Sequence, residues 1–160
     1  MFLEIEQTDK AEPPSTVTID ETSCAARVDR IMAMTHLPAT AHVALIGHHT
    51  LPSLLAFLRH GCGAVRCLRP DAPSPDCERT DLAWIVDVHS DHELDEALRA
   101  ARLRVGRTGR VVVEGAGCAR CAGLGSLNQR ATAAGLRILS FDHTANRAVL
   151  AAQSPVAMAA

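Results

Sequence analysis

Aromatic side chains make up only 2% of this 160-residue chain, with no tyrosine, three phenylalanines and the single Trp84. A surface that stacks nucleic-acid bases needs several such rings, so their scarcity speaks against one. Charge of one sign is also lacking: 16 basic against 18 acidic residues leave a formal net charge of −2. Neither nucleic acid nor an anionic membrane surface has an electrostatic reason to bind. No apolar run reaches the length that spans a bilayer. The first residues, Met1 to Asp9, are acidic where a secretory signal is basic and then apolar. A cytoplasmic location is therefore expected. Cys24, Cys62, Cys67, Cys77, Cys118 and Cys121 are then expected as reduced thiols rather than a disulfide framework.

What is present is a hydrophobic fraction of 48%, ample for one buried core in a chain of this length. The organising stretch runs from His42 to Thr50. Val43 to Ile46 are four apolar residues in a row, followed by Gly47 and then a helical pattern from Leu51 to Arg59. That is how a buried parallel strand passes into its crossover helix. Ahead of it, residues 1–18 read as an N-terminal arm. A helix follows from about Asp20, with Val28, Ile31 and Met32 on one face and Pro38 as its stop.

After the Leu51–Arg59 helix, Gly61 ends the turn and Gly63 to Leu68 form a short second strand. Three prolines between Arg69 and Cys77 mark a loop. Leu82 to Val88 is the clearest buried strand, and Ser90 with Glu93 has the spacing of a capping box that starts the next helix. Arg107 to Arg110 reads as a turn, Val111 to Glu114 as a strand, and Leu127 to Ala134 as a helix stopped by Gly135. Leu136–Phe141 and Arg147–Ala151 are separated by Asp142-His-Thr-Ala-Asn146, the pattern of an antiparallel hairpin. Residues 153–160 read as a frayed tail. Strands alternating with helices give one α/β domain over residues 19–152: a three-layer Rossmann-like arrangement, with a mostly parallel sheet and a C-terminal antiparallel hairpin.

This order resembles the class I S-adenosylmethionine-dependent methyltransferase fold from about Asp20 to Ala151. Thr80 to Val88 looks like that family's fourth strand. Leu94–Arg104, followed by Val105 to Glu114, looks like its segment of helix, Pro-Gly-Gly turn and fifth strand. Ala133 to Leu139 looks like the helix end and strand before the closing hairpin. The departures matter equally. The family's first turn is Gly-rich so that bare backbone approaches the methionine part of the cofactor; this chain keeps Gly47 and continues with His48, His49 and Thr50. Where the family's second strand ends in an acid for the ribose, this chain has Arg69, with Asp71 two residues on. There is no room before Leu82 for the family's third strand and its helix, so the resemblance implies a shortened member. A dinucleotide-binding domain is matched by a single glycine of G-x-G-x-x-G.

The candidate site residues follow from these positions. Gly47, His48, His49, Asp71 and Asp87 are the expected cofactor contacts. Asp87 and His89, just after the most buried strand, are the candidate catalytic acid/base pair, a carboxylate orienting an imidazole. Two imidazoles beside Gly47 would equally fill a pocket that has no cofactor. Ser90, Asp91 and Glu93 are explained by helix capping. No metal ligand set is expected: His48 and His49 are adjacent and need distant partners, and Cys118-Ala-Arg-Cys121 is a single C-x-x-C pair where structural zinc needs two. The leading expectation is a methyltransferase-like domain without catalysis, binding no cofactor and acting in binding or assembly, as a homodimer or with a protein partner. The alternatives are an active small-molecule methyltransferase using S-adenosylmethionine and an NAD(P)-binding oxidoreductase domain.

Overall fold

The computed structural model describes residues 21–71, 78–115 and 123–154. The expected arm, residues 1–18, and the Cys118–Cys121 pair lie outside them. In chain order the elements are α1 (Glu21–Thr35), β1 (His42–Gly47), α2 (Leu51–His60), β2 (Ala64–Leu68), β3 (Thr80–Val86), α3 (Asp91–Arg104), β4 (Val105–Glu114), α4 (Gly123–Ala133), β5 (Leu136–Asp142) and β6 (Arg147–Ala152). They form one six-stranded sheet in the order β2-β1-β3-β4-β6-β5. The first four strands in that order pair in parallel, whereas β6 is antiparallel to both β4 and β5. The expected three-layer Rossmann-like architecture with its C-terminal hairpin is the fold observed.

The layers come from the period-2 geometry of central strands that are apolar on both faces. On β3, Ala83 and Ile85 face one core with Leu94, Ala97, Leu98 and Ala101 of α3, and with Leu127 and Ala131 of α4. The alternate residues Leu82 and Trp84 face the other, with Val28, Ile31 and Met32 of α1 and Phe57 of α2. Trp84 is fully buried and meets Phe57 edge to face, with ring centroids 5.6 Å apart, a preferred aromatic arrangement. Pro52 sits in the first turn of α2, where its missing N–H costs nothing. At the other end Gly61 takes φ 95° and its N–H donates to Leu58 O, a left-handed cap suited to glycine.

Beyond shifts of a residue or two at element ends, four differences from the sequence reading stand out. Strand β3 stops at Val86, because Asp87 turns the chain at φ 53°. Residues 107–110, read as a turn, lie within β4. Pairing with β3 holds at Thr80–Val105 and resumes at Leu82–Arg110, so the intervening residues bulge out of a continuing strand. Helix α4 begins at Gly123, ahead of Leu127, because glycines carry no helical periodicity for a sequence pattern to register. Gln153, read as the start of a frayed tail, is tied to the start of β5: its backbone N–H donates to Gly135 O at 3.0 Å and its side chain to Leu136 O at 3.1 Å.

The candidate site at the C-terminal ends of β1 and β3

In this sheet the chain leaves β1 toward β2 on one side and returns to β3 on the other. That reversal leaves a crevice beyond the C-terminal ends of β1 and β3, where open α/β sheets place ligands. Gly47 ends β1 at φ 149°, and a Cβ there would lie 1.6 Å from the Val86 carbonyl oxygen on β3. The glycine is thus required by the close approach of the two strand ends. One residue on, the His48 N–H donates to Asp87 O at 3.4 Å, joining the loops that follow β1 and β3.

Those loops put side chains from distant sequence into one cluster. The His48 and His89 rings stack with centroids 4.4 Å apart and planes 11° from parallel. His48 Nε2 lies 3.0 Å from Glu93 Oε1, and His89 Nε2 lies 3.2 Å from Asp87 Oδ1. The second oxygen of Glu93 accepts the His89 backbone N–H at 2.8 Å. Ser90 caps α3 as expected, its hydroxyl oxygen accepting the Glu93 N–H at 3.1 Å. Glu93 does not return to the Ser90 N–H as in a regular capping box; it reaches one residue further back and across to His48. The His89 N–H, then the His48 ring, hold the Glu93 carboxyl below its ordinary pKa, against a smaller opposing effect of desolvation.

The backbone marks the same place. Four non-glycine residues among those described have positive φ. His36 and Asn146 follow a helix and occupy a hairpin turn, ordinary settings for the left-handed region. His49 and Asp87, at φ 50° and 53°, flank the cluster instead. Strain of about 1–3 kcal/mol at such residues persists where surrounding structure enforces it.

No protein-family model matches this sequence, and no curated protein matches it. Solved structures do. A superposition with the CcbJ methyltransferase from Streptomyces caelestis covers 84% of this chain and 90% of that one, with a TM-score of 0.61 at 13% identity. The fold is that of a class I methyltransferase-like Rossmann domain. A TehB-like S-adenosylmethionine-dependent methyltransferase from Corynebacterium glutamicum gives 0.60 at 13% identity, over 84% of this chain and 98% of that one. The amino pentose methyltransferase from Micromonospora echinaspora, a structure with S-adenosylmethionine bound, gives 0.57 at 13%, over 84% and 91%.

Within this Rossmann-like domain the expected site residues separate. Gly47, His48, Asp87 and His89 meet at the crevice, and the Asp87–His89 pair has hydrogen-bonding geometry. His49 points outward: its side chain is 85% exposed and its Nε2 is 4.0 Å from Asp87 Oδ2. Asp71 is exposed in the turn after β2, and no hydrogen bond or ion pair joins it to the cluster. Asp91 belongs elsewhere, pairing at 3.0 Å with Arg130 of α4, which also holds Asp95 at 2.7 Å. Glu93 is the member that capping arguments hid. A signal existed, since His89 and Glu93 are four residues apart across a helix start, one turn in reach. No described helix is long and apolar enough to cross a membrane.

Proposed function

We propose that this chain is a methyltransferase-like domain that does not transfer methyl groups and acts in binding or assembly. The observation that carries this reading is the His48–His89 stack bonded to Glu93 in the switch-point crevice. In the resembled family that turn is bare glycine backbone facing the cofactor. Here the close approach of the Val86 carbonyl accounts for Gly47, and the next residue is His48, whose ring stacks on His89. The edge strand β2 and the lack of any further described strand beyond it support a shortened member of the fold. For assembly, as a homodimer or with a protein partner, the support is the face of α2, which exposes Leu51, Leu55 and Leu58.

The test is a thermal-shift and calorimetric titration of the full chain with S-adenosylmethionine, with NAD(P) in parallel. Ligand at 100 times its dissociation constant stabilises a fold by about 2.7 kcal/mol, which a melting curve resolves. No shift with either is the expected result. A shift with S-adenosylmethionine alone would overturn the reading and restore the active methyltransferase, with Asp87→Ala as the next variant. A shift with NAD(P) alone would point to the oxidoreductase domain.

A further inference from the structure

We propose that His48, His89 and Glu93 form a binding site for one divalent transition-metal ion of the zinc class. One potential ligand atom from each lies within 4.8 Å of the other two. Two imidazoles and one carboxylate are a donor set that suits zinc, cobalt(II) and nickel(II), whereas calcium and magnesium prefer oxygen alone. The charge agrees. Glu93 and Asp87 bring two carboxylates to the cluster, and among the described residues no arginine or lysine pairs with either. A divalent ion balances that pair of charges.

The present contacts also show how an ion would enter. The 3.0 Å line between His48 Nε2 and Glu93 Oε1 is close to the spacing of two ligand atoms that share an ion at about 2.0–2.2 Å from each. On binding, the imidazole proton facing Glu93 passes to Nδ1, and Nε2 offers its lone pair to the metal. Ring lone pairs lie in the ring planes, so two parallel rings cannot both address one ion; the stack must open. His89, about half exposed, is the ring that turns, pivoting on its bond to Asp87. Asp87 accepts from His89 Nε2, which leaves Nδ1 to coordinate and makes Asp87 a positioning residue. Three protein ligands with solvent beside them form an open site, unlike the closed four-ligand sets of structural zinc.

The experiment is a titration of the metal-free, tag-free full chain with cobalt(II), read by visible absorption, and with zinc by calorimetry. One equivalent per chain is expected. His48→Ala, His89→Ala and Glu93→Gln should each weaken binding at least tenfold, while His92→Ala and the Cys118→Ser/Cys121→Ser double variant leave it unchanged. Asp87→Asn should weaken it less than the ligand variants. Circular dichroism of each variant checks that the fold persists. Absence of binding up to millimolar metal would overturn the proposal, as would binding that survives the histidine variants. So would binding lost only in the cysteine variant, accompanied by thiolate-to-cobalt absorption. The proposal concerns the same crevice as the preceding reading but does not require it. A chain that responds to S-adenosylmethionine and ignores metal overturns both, and one that binds each overturns only the first.

Discussion

Two carboxylates in this molecule each gather basic partners from distant sequence, and they are built for opposite ends. Glu114, at the end of β4, stands directly across from Arg147 of β6. It accepts from Arg147 Nε at 2.8 Å and from Arg27 of α1 as well. The Arg147 side chain is only 4% exposed, and Arg27 lies over the Trp84 ring at 5.2 Å from its centroid. Guanidinium groups stay charged at any ordinary pH, so this centre is permanent and ties α1 to the antiparallel side of the sheet. Glu93 has imidazoles in place of guanidiniums, and its side chain is 25% exposed. Imidazoles are neutral or charged within the working pH range, and the neutral form keeps a lone pair that can take a proton or a metal. Partner type and burial, rather than the carboxylate, distinguish a fastener from a site.

Breaking the buried centre should have the largest effect. Arg147→Met removes two charge-assisted hydrogen bonds to Glu114, each worth about 1.5–3 kcal/mol, and should cost about 3–5 kcal/mol by urea unfolding; a loss under about 1 kcal/mol would mean that the centre is not a fastener. Gly47→Ala should follow, because a Cβ collides with the Val86 carbonyl and the backbone is in a glycine region. At least about 2 kcal/mol is expected, and an unaltered melting temperature would show that the strand ends can part freely. Ser90→Ala removes the acceptor for the Glu93 N–H and should cost about 1 kcal/mol, again by urea unfolding. His48→Phe sharpens the contrast from the other side. It keeps a ring in the stack and gives up one half-exposed hydrogen bond, so its cost should stay below about 1 kcal/mol. A cost as large as that of Arg147→Met would make the imidazole cluster a second fastener.

The smallest effect concerns pH and lies beside Arg147. The carboxylate of Asp142 accepts backbone N–H groups from Thr144 at 2.9 Å and Ala145 at 3.2 Å, closing the hairpin turn. The Ala145 bond is the largest influence and lowers its pKa; desolvation, next in size, opposes it, and the Thr144 bond and the charges of Arg147 and Arg30 add to the lowering. A lowered folded value contributes stability above the unfolded pKa of about 3.9, lost as pH falls through the folded value. Asp142→Asn keeps an acceptor and removes the titration. Its melting temperature should trail the natural chain's at pH 7, and the gap should narrow as pH falls below about 3.9. An unchanged gap across that range would show that the turn does not sense the charge.

The legible parts of this chain were those with local causes. Apolar runs such as Val43–Ile46 and Val111–Val113 give strands whatever their neighbours do, Gly61 stops α2, and Ser90 caps α3. The hairpin showed itself because Asp142 and Asn146 are turn formers beside two apolar stretches. Less was legible where a local pattern had two readings. Arg107-Thr-Gly-Arg110 looks like a turn, yet it bulges within a strand, since pairing with β3 on both sides decides its state. Glu93 looked complete as a cap because its partner His48 is 45 residues away. Nothing in the sequence singled out Glu114, whose partners are 33 and 87 residues distant.

The sequence by itself determined the order of elements, the mostly parallel α/β architecture and the resemblance carried by Thr80–Glu114, because periodicity and capping act over a few residues. Only the tertiary structure decided that His48 turns inward while His49 turns out, that Gly47 serves the Val86 carbonyl, and that Asp71 stands apart from the cluster. Those outcomes depend on which strand lies beside β1 and on where the chain reverses, and neither is encoded in any one segment.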